Sequence, residues 1–261
     1  MPRFAANLTL LFTEVPFLDR FERAARAGFD AVECQLPYAH PASEIRARLD
    51  AQGLRMVLHN LPPGDWAAGE RGIACLPGRQ AEFRAGLERA IDYAQGLGVP
   101  QLNCLAGLAP PGVPRTTLHG TLVDNLAFAA ERLRRAGLRL LVEPINGFDM
   151  PGFFVDRPSQ AFALLDEVAD ANLYVQYDCY HAHRTEGGLL DVLDAELARI
   201  AHLQVADHPG RHEPGTGEID HAALFAELDR LGYAGWVGAE YLPATGTEAG
   251  LGWFAPFRGR G

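Results

Sequence analysis

Eight short apolar runs alternate with helix-patterned segments along the chain, and this alternation limits the fold more than any other feature. The runs lie at residues 4–8, 31–35, 55–60, 101–105, 139–143, 173–178, 200–205 and 236–240. Between them, at 17–27, 42–51, 78–97, 117–136, 159–169 and 222–231, apolar residues recur at spacings of three and four, the period of an amphipathic helix. Strands joined through helices pair in parallel, because each crossover returns the chain to the same end of the sheet. Eight such units favour an α/β fold closed as a (β/α)8 TIM barrel over an open, doubly wound sheet. The junctions repeat as well. Gly28, Gly53, Gly98, Gly137 and Gly232 each follow a helical segment and precede an apolar residue, the pattern of a left-handed helix cap that turns the chain back into a strand.

A length of 261 residues suits one barrel, so a single domain over 1–261 is expected. The net charge of −10 argues against a nucleic-acid surface, which needs clustered cations. No Gly-x-Gly-x-x-Gly or Walker loop follows a strand, which weakens a nucleotide-binding reading. Cys34, Cys75, Cys104 and Cys179 stand far apart and never as Cys-x-x-Cys, as expected of reduced thiols in a cytoplasmic protein. The apolar stretch near the N-terminus is too short to span a membrane, and it reads as the first strand.

In the C-terminal half, four runs end at or next to an oxygen-bearing side chain that suits a metal: Glu143, Asp178, Gln204 and Glu240. A carboxylate or amide at the end of a buried strand must be hydrogen-bonded, ion-paired or on a metal. A barrel brings all its strand C-termini to one face, so the four are expected to share a site. They offer three anionic oxygens and one neutral one, with no imidazole or thiolate. That set suits a hard divalent ion, Mg²⁺ or Mn²⁺, better than zinc. The longer Gly- and Pro-rich connections, 61–77, 106–115, 144–158 and 206–220, follow strands and are expected to roof the same face.

The segments LVEPIN (141–146), VQYDCYH (175–181), HLQVAD (202–207), PGRHEPGTGEID (209–220), GWVGAEY (235–241) and TEAGLGWF (247–254) together resemble the hydroxypyruvate isomerase family, one of the xylose isomerase-like barrels. The resemblance runs from the opening PRFAANLTLLFTEVPF to the last helix. It implies that Glu143 and Glu240 carry proton transfers and that Glu143, Asp178, Gln204 and Glu240 bind the metal. The implied reaction interconverts hydroxypyruvate and 2-hydroxy-3-oxopropanoate. In such chemistry a divalent cation stabilises the enediolate while a carboxylate removes the proton beside the carbonyl.

Three carboxylates and one divalent ion leave such a shell near −1, so an anionic substrate needs a nearby cation. Arg211, in the loop after Gln204, can grip a carboxylate bidentately. His181 lies where related sugar epimerases place a substrate-contacting histidine, and His59 is a lining candidate by its position at a strand end. Asn146 and Asp149 are expected beside the ligands, and Phe12, Trp66, Phe148 and Trp253 around the pocket. The expected partner is a small hydroxy-oxo acid, with neither nucleic acid nor membrane; barrels of this kind often associate through their helices into homo-oligomers. A 2-oxo-tetronate isomerase would use the same ligands and is the alternative. Ketose 3-epimerases typically carry His where this chain has Gln204 and Glu where it has Asp149, which argues against a neutral ketose.

Overall fold

A computed structural model describes residues 1–258. It contains a closed barrel of eight strands in sequential order, every neighbouring pair parallel. The strands are β1 (Arg3–Asn7), β2 (Ala31–Glu33), β3 (Arg55–Asn60), β4 (Gln101–Cys104), β5 (Arg139–Val142), β6 (Leu173–Asp178), β7 (Ile200–Val205) and β8 (Trp236–Ala239). Around them run α1 (Arg20–Ala27), α2 (Ala42–Gln52), α3 (Gln80–Leu97), α4 (Arg115–Arg135), α5 (Pro158–Val168), α6 (Cys179–Thr185), α7 (Leu189–Glu196) and α8 (His221–Arg230). Helices α1 and α3 end as the sequence predicts, with Gly28 at φ 98° and Gly98 at φ 70°, a region closed to most side-chain-bearing residues. No helix among the described residues is long and apolar enough to cross a membrane.

Two differences from the sequence reading matter. Strands β5 and β8 stop at Val142 and Ala239, one residue before Glu143 and Glu240. The two glutamates therefore stand on the rim, just past the last ladder residue. The second difference is a pair of unexpected helices, α6 and α7. Helices this short are marginal on propensity and form through packing. Cys179, Tyr180, His181 and Ala182 of α6 are all buried, and the Asp178 carboxylate caps it by accepting from Tyr180 N at 2.8 Å.

Side chains alternate across each strand. Most of the apolar core fills the layer between barrel wall and helices, with Val32, Leu102, Val142, Val175 and Val237 facing outward into it. A second, smaller apolar cluster holds Ala5, Ala31, Leu58, Leu141 and Ala201. Two residues further along the same strand faces come Asn7, Glu33, Asn60 and Glu143, all buried. The barrel interior thus changes from apolar to polar toward the C-terminal ends of its strands.

Candidate active site

Every strand ends at or beside a buried polar side chain: Asn7, Glu33, Asn60, Asn103, Glu143, Asp178, Gln204 and Glu240. The last four are the ones expected from the sequence. The signal for the others was present in RFAAN, AVE, MVLHN and QLN, each closing an apolar run on an amide or acid.

The carboxylates are held in different ways. Glu143 Oε2 accepts from Asn103 Nδ2 at 2.8 Å. Glu240 Oε1 accepts from both Asn7 Nδ2 and Gln35 Nε2 at 2.8 Å, and its Oε2 accepts from Arg211 Nη2 at 2.6 Å. Asp178 Oδ2 lies 3.3 Å from the same Arg211 nitrogen and 3.5 Å from His181 Nε2. Ligand atoms of Glu143, Asp178 and His181 all fall within 4.8 Å of one another, a cluster able to hold a metal ion.

Burial, reinforced by the charges of Glu240 and Asp178, raises the Glu143 carboxyl well above its usual range. Burial also pushes Glu240 up to about 7, against the lowering pull of Arg211. With all three carboxylates ionised, they and the Arg211 guanidinium would sum to −2, a charge that one divalent cation would neutralise and that its binding would favour. The oxygen-rich donor set fits such an ion.

His181 is fixed as well as buried. Asn146 Oδ1 accepts from Phe148 N and Asp149 N, so its amide NH₂ faces His181 Nδ1 at 2.6 Å and Asp149 Oδ2 at 3.1 Å. Nδ1 is therefore the acceptor, and the ring proton sits on Nε2, toward Asp178. Burial lowers the imidazole to about 4, which keeps it neutral near pH 7.

A cavity of about 230 Å³ opens over this cluster, lined by Glu143, Glu240, Arg211, His181, Gln35 and Trp66 among others. Drug-sized ligands occupy cavities of roughly 300–1,000 Å³, so this one suits a smaller molecule. Arg211 reaches it from a left-handed backbone conformation, φ 55°, and its buried Nε has no hydrogen-bond partner.

Two expected site residues are held differently from expectation. Gln204, like Asp178, does not itself line the cavity: its Nε2 donates to Glu33 Oε1 at 2.8 Å and its Oε1 accepts from Gln176 at 2.7 Å. His59 turns away from it. Its ring packs edge-on to Tyr38 and Tyr93, Nδ1 lies 3.2 Å from Tyr38 Oη, and the cavity is lined by the adjacent Asn60 instead. The one-residue offset follows from strand alternation, which sends neighbours to opposite faces. Of the aromatic candidates, Trp66 lines the cavity, Phe12 and Trp253 pack inside the protein, and Phe148 is exposed.

Residues 21–257 match the family model described as xylose isomerase-like TIM barrel. The chain is 51% identical over 260 residues to a 2-oxo-tetronate isomerase of Cupriavidus necator, covering 100% of both chains. It is also 51% identical over 258 residues to a hydroxypyruvate isomerase of Escherichia coli K12, covering 99% of this chain and 100% of that one. Among solved structures, one from Brucella melitensis described as an AP endonuclease, family 2, superposes with a TM-score of 0.97 at 44% identity, covering 99% of this chain and 100% of that one.

Proposed function

The chain belongs to the xylose isomerase-like TIM-barrel family and, within it, to the group of hydroxypyruvate and 2-oxo-tetronate isomerases, and from that premise we propose that it isomerises a small hydroxy-oxo acid by proton transfer between adjacent carbons. Hydroxypyruvate is the first substrate reading. The Cupriavidus necator relative supports 2-oxo-tetronate as the second.

The observation that carries the proposal is the set of buried carboxylates, Glu143, Asp178 and Glu240, with the Arg211 guanidinium against Asp178 and Glu240, and with Glu143 and Glu240 lining a small cavity. Glu143, Asp178 and Glu240 would hold a divalent ion, Mg²⁺ or Mn²⁺, with the Gln204 amide oxygen the candidate to complete its shell. When bound, that ion supplies electrophilic stabilisation of the negative charge that develops on the substrate's oxygens.

The chain's own residues do the rest. One of Glu143 and Glu240 removes a proton from the hydroxymethyl carbon, and the other delivers a proton to the former carbonyl carbon. The hydroxyl proton passes to the neighbouring oxygen, so hydroxypyruvate becomes its aldehyde isomer with no net gain or loss. A carboxyl near neutrality can both accept and return a proton at pH 7, which the position of Glu240 allows. Arg211, which lines the cavity and whose buried Nε has no partner, binds the substrate carboxylate, and His181 donates Nε2–H to a substrate oxygen.

The net charge of −10 argues against carrying the endonuclease description of the Brucella melitensis structure over to this chain. Turnover of hydroxypyruvate, 2-oxo-tetronate and free ketoses by the metal-loaded protein tests the proposal. The acids should be isomerised at least tenfold faster than any ketose; equal or faster ketose turnover overturns it.

A further inference from the structure

Glu33 is a fully buried carboxylate that the reaction above does not use. It belongs to β2, and its Oε2 contacts His202 Nε2 of β7 at 2.6 Å. Its Oε1 accepts from Gln204 Nε2 at 2.8 Å and from Asn7 Nδ2 at 2.9 Å. The space it fills is reserved for it. A Cβ built on Gly238 of β8 would stand 2.4 Å from the Glu33 carboxylate, so only glycine at that position leaves room. Burying an acid and an imidazole is seldom the most stabilising choice, since an apolar pair avoids the desolvation cost. The arrangement therefore calls for a reason beyond stability.

Asn7 supplies one. Its Oδ1 accepts from Thr9 N at 3.0 Å, which fixes the amide and commits both Nδ2 protons to the opposite side. One proton goes to Glu33 Oε1 and the other to Glu240 Oε1, at 2.9 and 2.8 Å. Gln35 Nε2 donates to the same Glu240 oxygen. With Oε1 held by two amides, Oε2 is the oxygen left for chemistry, on the side where Arg211 meets it.

We propose that Asn7 is a positioning residue for Glu240, itself held by the Glu33–His202 pair and the side-chain-free Gly238, so that four strands fix which oxygen of the glutamate faces the substrate. The inference rests on Glu240 as a proton-transfer group. Its consequence is specific: Asn7 acts through Glu240 and nowhere else.

A double-mutant cycle tests this. Asn7→Ala should lower kcat roughly 10- to 100-fold, the scale of a misplaced catalytic group, and leave KM within about threefold. Asn7→Asp keeps the size of the side chain but sets an acceptor between two carboxylates, so it should be at least as damaging; recovery of activity by Asp would reduce Asn7 to a space-filler and overturn the proposal. In a Glu240→Gln background, Asn7→Ala should cost less than about twofold more. A full, additive loss there would overturn the proposal too. If Asn7→Ala fails to fold, Gln35→Leu removes the other donor to the same oxygen, and its kcat loss should likewise vanish in Glu240→Gln. Wild-type turnover by Glu240→Gln alone would instead show that the glutamate's proton role is wrong, and the inference would fall with it.

Discussion

Replacing Glu240 with Gln separates chemistry from architecture, and the surrounding hydrogen bonds set both magnitudes. Oε1 accepts from Asn7 and Gln35 and Oε2 accepts from Arg211, so the carboxylate makes three charge-assisted bonds. A glutamine has one carbonyl, which the two amide donors claim. Its NH₂ then meets the Arg211 guanidinium donor to donor, at the cost of one charge-assisted bond, about 1.5–3 kcal/mol. Against that, burial makes ionising this carboxyl costly, enough to hold it at about 7 even with Arg211 beside it. Glutamine carries no such cost. The two effects offset each other, and the melting temperature should move by only a few degrees. Activity should behave differently. The amide cannot accept a proton, so kcat should fall at least about 100-fold, the lower end of a general-base contribution. Steady-state kinetics on the preferred acid with saturating metal, beside a thermal melt, reads both. Turnover within a few-fold of wild type, or a collapse in stability with little loss of specific activity, would refute the reasoning.

Other perturbations reach different parts of the site. Arg211→Ala should cut kcat/KM for hydroxypyruvate about 30- to 150-fold, on the scale of one lost bidentate contact, and harm an uncharged hydroxyaldehyde far less; equal damage to both would leave Arg211 a loop organiser. Chelation should lower the melting temperature, and Mn²⁺ at about 100 times its Kd should restore about 2.7 kcal/mol, or some 5–10 °C. An unchanged melt would mean the carboxylates do not hold a metal. Burial lowers His59 from 6.5 to about 4. At acid pH the unfolded chain thus takes up a proton that the folded one refuses; the stability contribution is full above pH 6.5 and is lost progressively down to about pH 4, about 3 kcal/mol in all. His59→Gln should flatten the fall in melting temperature between pH 7 and 4.5, and a variant with the wild-type slope would contradict the assignment.

Much of the fold was legible because the barrel writes itself locally. An apolar run, a glycine in the left-handed region after a helix and a 3.6-residue period are each readable within a dozen residues, and β3, β6 and β7 occupy the spans expected for them. Helix α6 was not legible, since Cys-Tyr-His-Ala-His-Arg-Thr has little propensity and owes its turn to burial and to the Asp178 cap. The site followed the same division. Acids at strand ends were visible, but which face a residue takes depends on strand phase, and a one-residue ambiguity at the end of β3 separates His59 from Asn60. The roles of Asn7, Glu33 and Gln204 depend on side-chain contacts across the barrel interior between β1 and β2 at one end of the sequence and β7 near the other, which only barrel closure brings together.

The most direct test of proton transfer at this site is isotope exchange in deuterated water. Metal-loaded wild-type protein, incubated with hydroxypyruvate or 2-oxo-tetronate, should place deuterium on the carbon that receives the returned proton as the isomer forms, with Glu143→Gln and Glu240→Gln each slowing that incorporation at least about 100-fold. Isomer formed with no solvent deuterium, or incorporation undiminished in both variants, would contradict the account.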